Sequence, residues 1–88
     1  DVEEGIEITL PNSVEKIGHR AFAASGIKTI TIPENVKSIG NDVFNGCENL
    51  QTINYKGTED QWNAISKGSY WNYKCPSDMV IKCDYQGD

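Results

Sequence analysis

The strongest constraint on this chain is an internal repeat, because residues 30–52 restate the pattern of the segment before them at one constant offset. The offset is about two dozen residues. The positions that match are Ile8 and Ile30, Pro11 and Pro33, Val14 and Val36, Ile17-Gly18 and Ile39-Gly40, and Phe22 and Phe44. Such regularity is typical of a solenoid, in which each repeat contacts only its neighbours. The sequence therefore predicts repeats at about residues 8–29 and 30–52.

Each repeat is predicted to begin with a short strand that ends at a proline. The apolar residues of the stretch IEITL alternate with polar ones, as in a half-buried strand. Pro11 lacks a backbone donor and favours extended geometry before it, so we expect the strand to stop there. A second short strand should follow, and then one helical turn around an aromatic residue. Phe22 and Phe44 should stack in the core as equivalent residues of successive repeats.

Beyond the second repeat the pattern changes, and residues from about 53 to 88 are predicted to form a terminal cap. Thr58 and Gln61 have the spacing of a capping box, which predicts a helix at about Glu59 to Lys67. The aromatic residues of this segment suit a hydrophobic cover for the last core face, and an aromatic platform for sugar or peptide is the alternative. These residues are Trp62, Tyr70, Trp71 and Tyr73. Residues 1–88 should form a single domain, expected to be a fragment of a longer protein.

Composition argues against two classes of function. The net charge of −5 disfavours nucleic-acid binding, because such proteins carry clustered basic side chains and no such cluster occurs in this sequence. No apolar run reaches the length of about 20 residues that a membrane-spanning helix needs. We therefore expect neither a nucleic-acid partner nor membrane insertion.

The cysteines and the single histidine predict neither a metal site nor a catalytic centre. No CxxC pair is present, and His19 falls at a variable turn position. We therefore predict no metal ligand, no cofactor and no catalytic residue. Cys47 takes the repeat position of Ser25 and should be a small buried core residue. Cys75 and Cys83 lie close in the sequence, and both a disulfide between them and a pair of free thiols are left open.

Longer segments of the chain resemble one known family. ITLPNSVEKIGHRAF and ITIPENVKSIGNDVFNGC are similar to the repeat of bacterial BspA-like, or treponemal-type, leucine-rich-repeat proteins, and YKGTEDQWNAISKGSYWN is similar to their recurrent closing segment. The chain departs from that pattern at Ser25, where the family has cysteine, at Val43, where it has alanine, and in lacking a proline after Tyr55.

The resemblance implies an α/β repeat solenoid. In this fold a short right-handed leucine-rich-repeat coil consists mostly of short strands and turns, with one short helix and a C-terminal capping segment. The resemblance also implies an extracellular or bacterial cell-surface location, because such proteins are typically secreted or displayed. Some members attach to host matrix proteins or to other cells.

The strand pattern points to one candidate binding surface. If the isoleucines of the strands point inward, the residues between them turn outward in two parallel rows. The outward residues proposed for binding are Thr29, Thr31, Thr52 and Asn54. Their hydroxyl and amide groups suit hydrogen bonding along an extended partner. The alternative is a threonine ladder that only favours strand formation.

Three functions are compatible with these features. The first is a non-catalytic, adhesion-like module for protein–protein or cell-surface interaction, whose partner is a protein or glycan on a host or neighbouring cell. The second is a purely structural cap or spacer of a larger secreted or surface protein. The third, an accessory domain of a surface enzyme, is less favoured because the sequence contains no catalytic constellation.

Overall fold

The computed structural model describes residues 6–86, so residues 1–5 and 87–88 of the predicted domain lie outside the described part. The strands form two parallel sheets, which the chain visits in turn. The larger sheet contains β1 (Ile6–Thr9), β3 (Ile27–Ile32), β5 (Thr52–Tyr55) and β7 (Val80–Lys82), in that order. The smaller sheet contains β2 (Lys16–Ile17), β4 (Ser38–Ile39) and β6 (Ser66–Lys67), and helix α1 (Glu59–Ala64) lies between β5 and β6.

Equivalent residues of successive repeats pair directly across the larger sheet. Ile8 pairs with Ile30, Ile30 with Ile53, and Ile53 with Ile81. Ile30 and Ile53 are fully buried. The same core contains Ile32, Val36, Ile39, Val43, Phe44, Cys47 and Leu50. Because successive strands share one core, apolar burial between repeats holds the fold together.

The turns after β2, β4 and β6 share a backbone conformation that differs from the predicted helical turn. Arg20 has a φ of +57°, and Asp42 and Tyr70 each have a φ of +58°. A residue in this left-handed region interrupts a right-handed helical turn, so the helical prediction is wrong here. Hydrogen bonds link successive turns instead, for example from the Phe22 N–H to the Val43 carbonyl at 3.0 Å.

Helix α1 begins where the sequence predicts and ends earlier. The Thr58 hydroxyl accepts a hydrogen bond from the Gln61 N–H at 3.1 Å, and the Gln61 side-chain oxygen accepts one from the Thr58 N–H at 2.8 Å, which confirms the capping box. The helix ends at Ala64 and not at Lys67, because the following segment pairs with β4 as strand β6. The Lys67 ammonium instead donates to two main-chain carbonyls near the end of the helix, at 2.7 and 3.3 Å.

Aromatic side chains continue the core from the first repeat into the last. The Phe22 and Phe44 rings stack as predicted, with centroids 5.9 Å apart and planes 10° apart. Trp71 contacts Phe44 edge-on at 6.3 Å, and Trp62 contacts Trp71 at 5.9 Å. The segment from residue 53 onward therefore adds strands β5, β6 and β7 to the two sheets and large aromatic rings to the core.

Candidate functional site

The candidate site is the outer side of β3 and β5, here called the strand face and defined by Thr29, Thr31, Thr52 and Asn54. Strand pairing sets Thr29 opposite Thr52 and Thr31 opposite Asn54. The isoleucines between these residues are buried at 0% exposure, so the alternation of the strands separates core residues from the strand face. The four predicted site residues are thus brought together in two neighbouring rows.

The two rows differ in how much surface they expose. Thr29 and Thr52 are half-buried, whereas Thr31 and Asn54 each expose only 6% of their surface. Both belong to interior strands of the sheet, with β1 and β7 on either side. Thr31 and Asn54 therefore present less surface than strand alternation alone suggests, and a partner reaches them only by close contact with the sheet.

Asn54 has an unusual electrostatic environment within this face. Among residues 6–86, its side-chain oxygen Oδ1 is buried and has no hydrogen-bond donor. Burying an amide oxygen without a partner costs about 1–3 kcal/mol relative to a paired one. The strand face therefore contains an unsatisfied acceptor, which an N–H or O–H group of a ligand can satisfy once the Asn54 side chain turns this oxygen toward the surface.

A groove continues from one end of the strand face. It has a volume of about 560 Å³, and Thr52 and Val80 line its side nearest the sheet. Its other walls come from the connections before β5 and β7, and they carry Glu48, Asn49, Gln51, Pro76 and Asp78. The groove therefore combines two carboxylates with two side-chain amides, which gives this end of the surface a negative charge. The sequence alone does not reveal this groove, because its walls come from loops that only the folded structure brings together.

The cysteines form part of the repeat structure. The Cys47 thiol donates to the Phe22 carbonyl at 3.0 Å, and the Cys75 thiol donates to the Phe44 carbonyl at 3.2 Å. The Ser25 hydroxyl lies 3.6 Å from the Cys47 sulfur. Cys47 is fully buried, as predicted. Cys75 therefore holds in the third repeat the position that Cys47 holds in the second.

The Cys75–Cys83 disulfide that the sequence left open is not formed, and all three thiols are free. Cys83 lies apart from the cysteine positions of the repeats, in a cleft of about 440 Å³ that Glu59 and Trp62 also line. Burial and the neighbouring Cys47 thiol raise the pKa of the Cys75 thiol to about 11. Burial, followed by the nearby Glu59 and Asp84 carboxylates, also raises the pKa of Cys83. Both thiols therefore stay protonated and weakly nucleophilic at neutral pH.

The geometry brings together no metal-ligand set in the described part of the chain. Between residues 6 and 86, no three His, Cys, Asp or Glu side chains converge in a way that could hold a metal ion. His19 is exposed on the turn after β2. Across the same residues, none of the helices combines the length and the apolar character needed to cross a membrane.

The aromatic residues of the last repeat divide into two pairs. Trp62 is buried and Trp71 half-buried, and both pack on the core. Tyr70 and Tyr73 instead expose 64% and 48% of their surfaces. Sequence reasoning grouped all four as one cover or platform. The turn after β6 matches the turn after β2, and in this match Tyr70 takes the position of the exposed Arg20. This match distinguishes the exposed tyrosines from the tryptophans that pack on the core.

Comparison with known proteins gives one family. The family model described as BspA type leucine rich repeat region (6 copies) matches residues 4–84. No curated protein and no solved structure matches the chain. The family match includes the segment from residue 53 onward, where the structure continues both sheets. It therefore agrees with the repeat pattern that the sequence and the strand pairing display.

Proposed function

Because the chain belongs to the family of BspA-type leucine-rich repeat regions, we propose that it is a non-catalytic, adhesion-like module that binds a protein partner through the strand face. Its place is outside the cell, as part of a secreted or surface-displayed protein. The family match supports a repeat module, and the resemblance of its motifs to those of surface proteins supports the location. The partner belongs to a host or neighbouring cell.

The proposal includes a fold in which the two sheets wind as a short right-handed solenoid closed by its C-terminal segment. The parallel order of the strands in both sheets supports the winding. Successive parallel strands of one sheet are joined by right-handed connections in about 98% of cases. The packing of Trp62 and Trp71 against the core supports the closing role of the last repeat.

The observation that carries the binding proposal is the unsatisfied Oδ1 of Asn54. An extended polypeptide segment presents backbone N–H groups that can donate hydrogen bonds to this oxygen once the Asn54 side chain turns it toward the surface, and the hydroxyl groups of Thr29 and Thr52 lie in the adjacent row. The two rows lie two residues apart along the strands, about 6.6 Å at a rise of about 3.3 Å per residue, within reach of one extended segment. Glu48 and Asp78 in the groove favour a segment with basic side chains at the end that passes Thr52.

The test uses peptides selected by the intact chain from a random peptide library displayed on phage. Selected peptides are titrated against wild type and against Thr29→Lys/Thr52→Lys, which crowds the strand face at its half-buried positions. Ser13→Lys/Asn63→Lys is the matched control, because it adds the same charge at exposed residues of a turn and of α1. Urea unfolding should show that all three proteins are folded, with a somewhat lower midpoint for the strand-face variant because its two lysines lie directly opposite each other.

We expect the strand-face variant to bind selected peptides at least about tenfold more weakly, a loss of about 1.4 kcal/mol, and the control to match wild type. Glu48→Gln/Asp78→Asn should weaken the binding of basic peptides as well. If no peptide is enriched above the empty surface, or if the strand-face variant binds as tightly as the control, the strand face is not the binding site. The spacer role would then be the better description.

A further inference from the structure

Tyr70 and Tyr73 form an exposed aromatic pair that neither the core nor the strand face uses. Their ring centroids lie 5.1 Å apart in an edge-to-face arrangement, with planes at 67°. Both belong to the turn between β6 and β7. Other large aromatic residues nearby are less exposed, since Phe44, Tyr55 and Trp62 are each at most 6% exposed and Trp71 is half-buried. Two adjacent aromatic rings at the surface, with well-buried ones nearby, mark a candidate interaction site.

Polar acceptors lie beside this aromatic pair because successive turns are hydrogen-bonded in register. The Asp42 N–H donates to the Ser69 carbonyl at 3.0 Å, and the Gly46 N–H donates to the Tyr73 carbonyl at 2.8 Å. Asp42 and Tyr70 have the same φ of +58° and hold equivalent positions of the two turns. The turn that carries the aromatic pair therefore runs directly alongside the turn that contains Asp42.

The side chains of Asp42 and Asn45 are already oriented by each other. The Asn45 amide nitrogen donates to Asp42 Oδ1 at 2.8 Å, and both side chains are half-buried. This bond fixes the amide so that its oxygen remains an acceptor, and it leaves the second carboxylate oxygen of Asp42 available. The turn that runs alongside the aromatic pair therefore carries a carboxylate and an amide that hold each other in place.

We propose that Tyr70, Tyr73, Asp42 and Asn45 form a platform that binds a neutral glycan. The apolar C–H face of a pyranose ring packs on an aromatic face, and its hydroxyl groups donate hydrogen bonds to carboxylate and amide oxygens. Tyrosine gives this contact area at a small cost in side-chain entropy, because it has only two rotatable side-chain bonds. The platform is separate from the strand face, so it is a second binding activity of the chain.

Charge selects the class of glycan. The chain has a net charge of −5, and the acceptor next to the rings is the carboxylate of Asp42, so uronate and sialate sugars are repelled. One cation, the Lys74 ammonium, lies 5.7 Å from the centre of the Tyr73 ring, in a cation–π contact with it. Neutral hexose chains meet the acceptors without a charge penalty.

The experiment is native gel electrophoresis of the intact chain through gels that contain one soluble polysaccharide each. The neutral probes are mannan, β-glucan and galactomannan, and the anionic probes are polygalacturonate and hyaluronate. The variant Tyr70→Asn/Tyr73→Ala removes both rings, and asparagine is chosen because it tolerates the positive φ of residue 70. Tyr85→Ala is the matched control, since it removes a half-buried tyrosine away from this turn.

We expect at least one neutral polysaccharide to retard wild type and Tyr85→Ala, and the double variant to run as it does without sugar, a loss of about tenfold or more in affinity. Asp42→Asn, which keeps an acceptor for Asn45 but removes the charge, should weaken retardation and reduce the discrimination against anionic probes. Retardation by no neutral probe, or equal retardation of the double variant at an unchanged unfolding midpoint, would overturn the proposal. The proposal would also be overturned if no glycan retarded the wild type and the double variant lost binding to phage-selected peptides. The platform would then be a peptide site.

Discussion

Three glycines at equivalent turn positions provide a graded test of how tightly the repeats contact one another. Gly18, Gly40 and Gly68 each follow a strand of the smaller sheet. A Cβ at Gly18 would have no described atom within 4 Å, whereas one at Gly40 would lie 2.9 Å from the His19 nitrogen. A Cβ at Gly68 would lie 2.6 Å from the backbone nitrogen of Asn41 and would also collide with the side-chain oxygen of that residue.

These distances set the expected order of the changes in stability. Gly18→Ala should stabilise by about 0.4–1 kcal/mol, because alanine restricts the unfolded chain and meets no neighbour. Gly40→Ala should cost about 1–3 kcal/mol, since backbone atoms of the previous repeat must shift. Gly68→Ala should cost more, because the collision also displaces Asn41 Oδ1 from the Ser69 N–H, a hydrogen bond of 2.8 Å worth about 0.5–1.5 kcal/mol.

The assay is equilibrium unfolding in urea, followed by tryptophan fluorescence, with the free energy of unfolding extrapolated to zero denaturant. Gly18→Ala serves as the control for the other two substitutions, because the chemical change is identical and only the contacts differ. Equal costs at all three positions, or a Gly18→Ala variant destabilised by more than about 1 kcal/mol, would refute the close packing of successive turns.

Four further substitutions probe the core, the helix and the thiols, each by urea unfolding. Phe44→Ala should lower the free energy of unfolding by about 3–5 kcal/mol, because Phe44 is fully buried between two rings. Phe22→Ala should cost distinctly less, because Phe22 is half-buried at the end of the stack. Equal costs would contradict the stacking. Thr58→Ala should cost about 1 kcal/mol through loss of the capping box, and no loss would place the start of α1 elsewhere. Burial raises the pKa of Cys75 from its ordinary 9.0 to about 11, so the unfolded chain loses this proton first. Stability should therefore fall as the pH rises from about 9 to about 11, and Cys75→Ser should show a smaller fall; an identical fall would exclude this thiol as the cause.

The parts of the fold that sequence reasoning predicted correctly depend on patterns shared by neighbouring repeats. The stacking of Phe22 on Phe44 follows from their equivalent positions, and the register of β5 follows from the alternation around Ile53. The capping box of Thr58 and Gln61 was predictable because it needs only a local spacing of polar side chains.

The predictions that were wrong concern segments where contacts with a neighbouring repeat override the local helix signal. Those contacts cannot be read from the sequence of one segment. The sequence extends α1 to Lys67, but pairing with β4 takes the last residues into strand β6. The turn residues have polar sequences suited to a helical start, yet hydrogen bonds to the next repeat hold Arg20 and Asp42 in the left-handed region.

In the candidate site, too, the positions of the residues were predictable from the sequence and their exposure was not. Alternation placed Thr29, Thr31, Thr52 and Asn54 in two rows, and the pairing of β3 with β5 has that register. The exposure of each side chain depends on the strands to either side, so the burial of Thr31 and Asn54 was not predictable from the alternation. The unpaired oxygen of Asn54 likewise depends on which donors the folded chain brings near it.

The decisive measurement for the strand face is a heteronuclear NMR titration of the intact chain with a phage-selected peptide, following the side-chain amide signal of Asn54. We expect this signal to shift together with the backbone amides of Thr29 and Thr52 as the Oδ1 of Asn54 accepts a hydrogen bond. The amides of residues 69–74, which belong to the separate aromatic turn, should keep their positions. Saturating peptide that moves other signals while the Asn54 side-chain amide and the Thr29 and Thr52 amides stay fixed would contradict binding at the strand face.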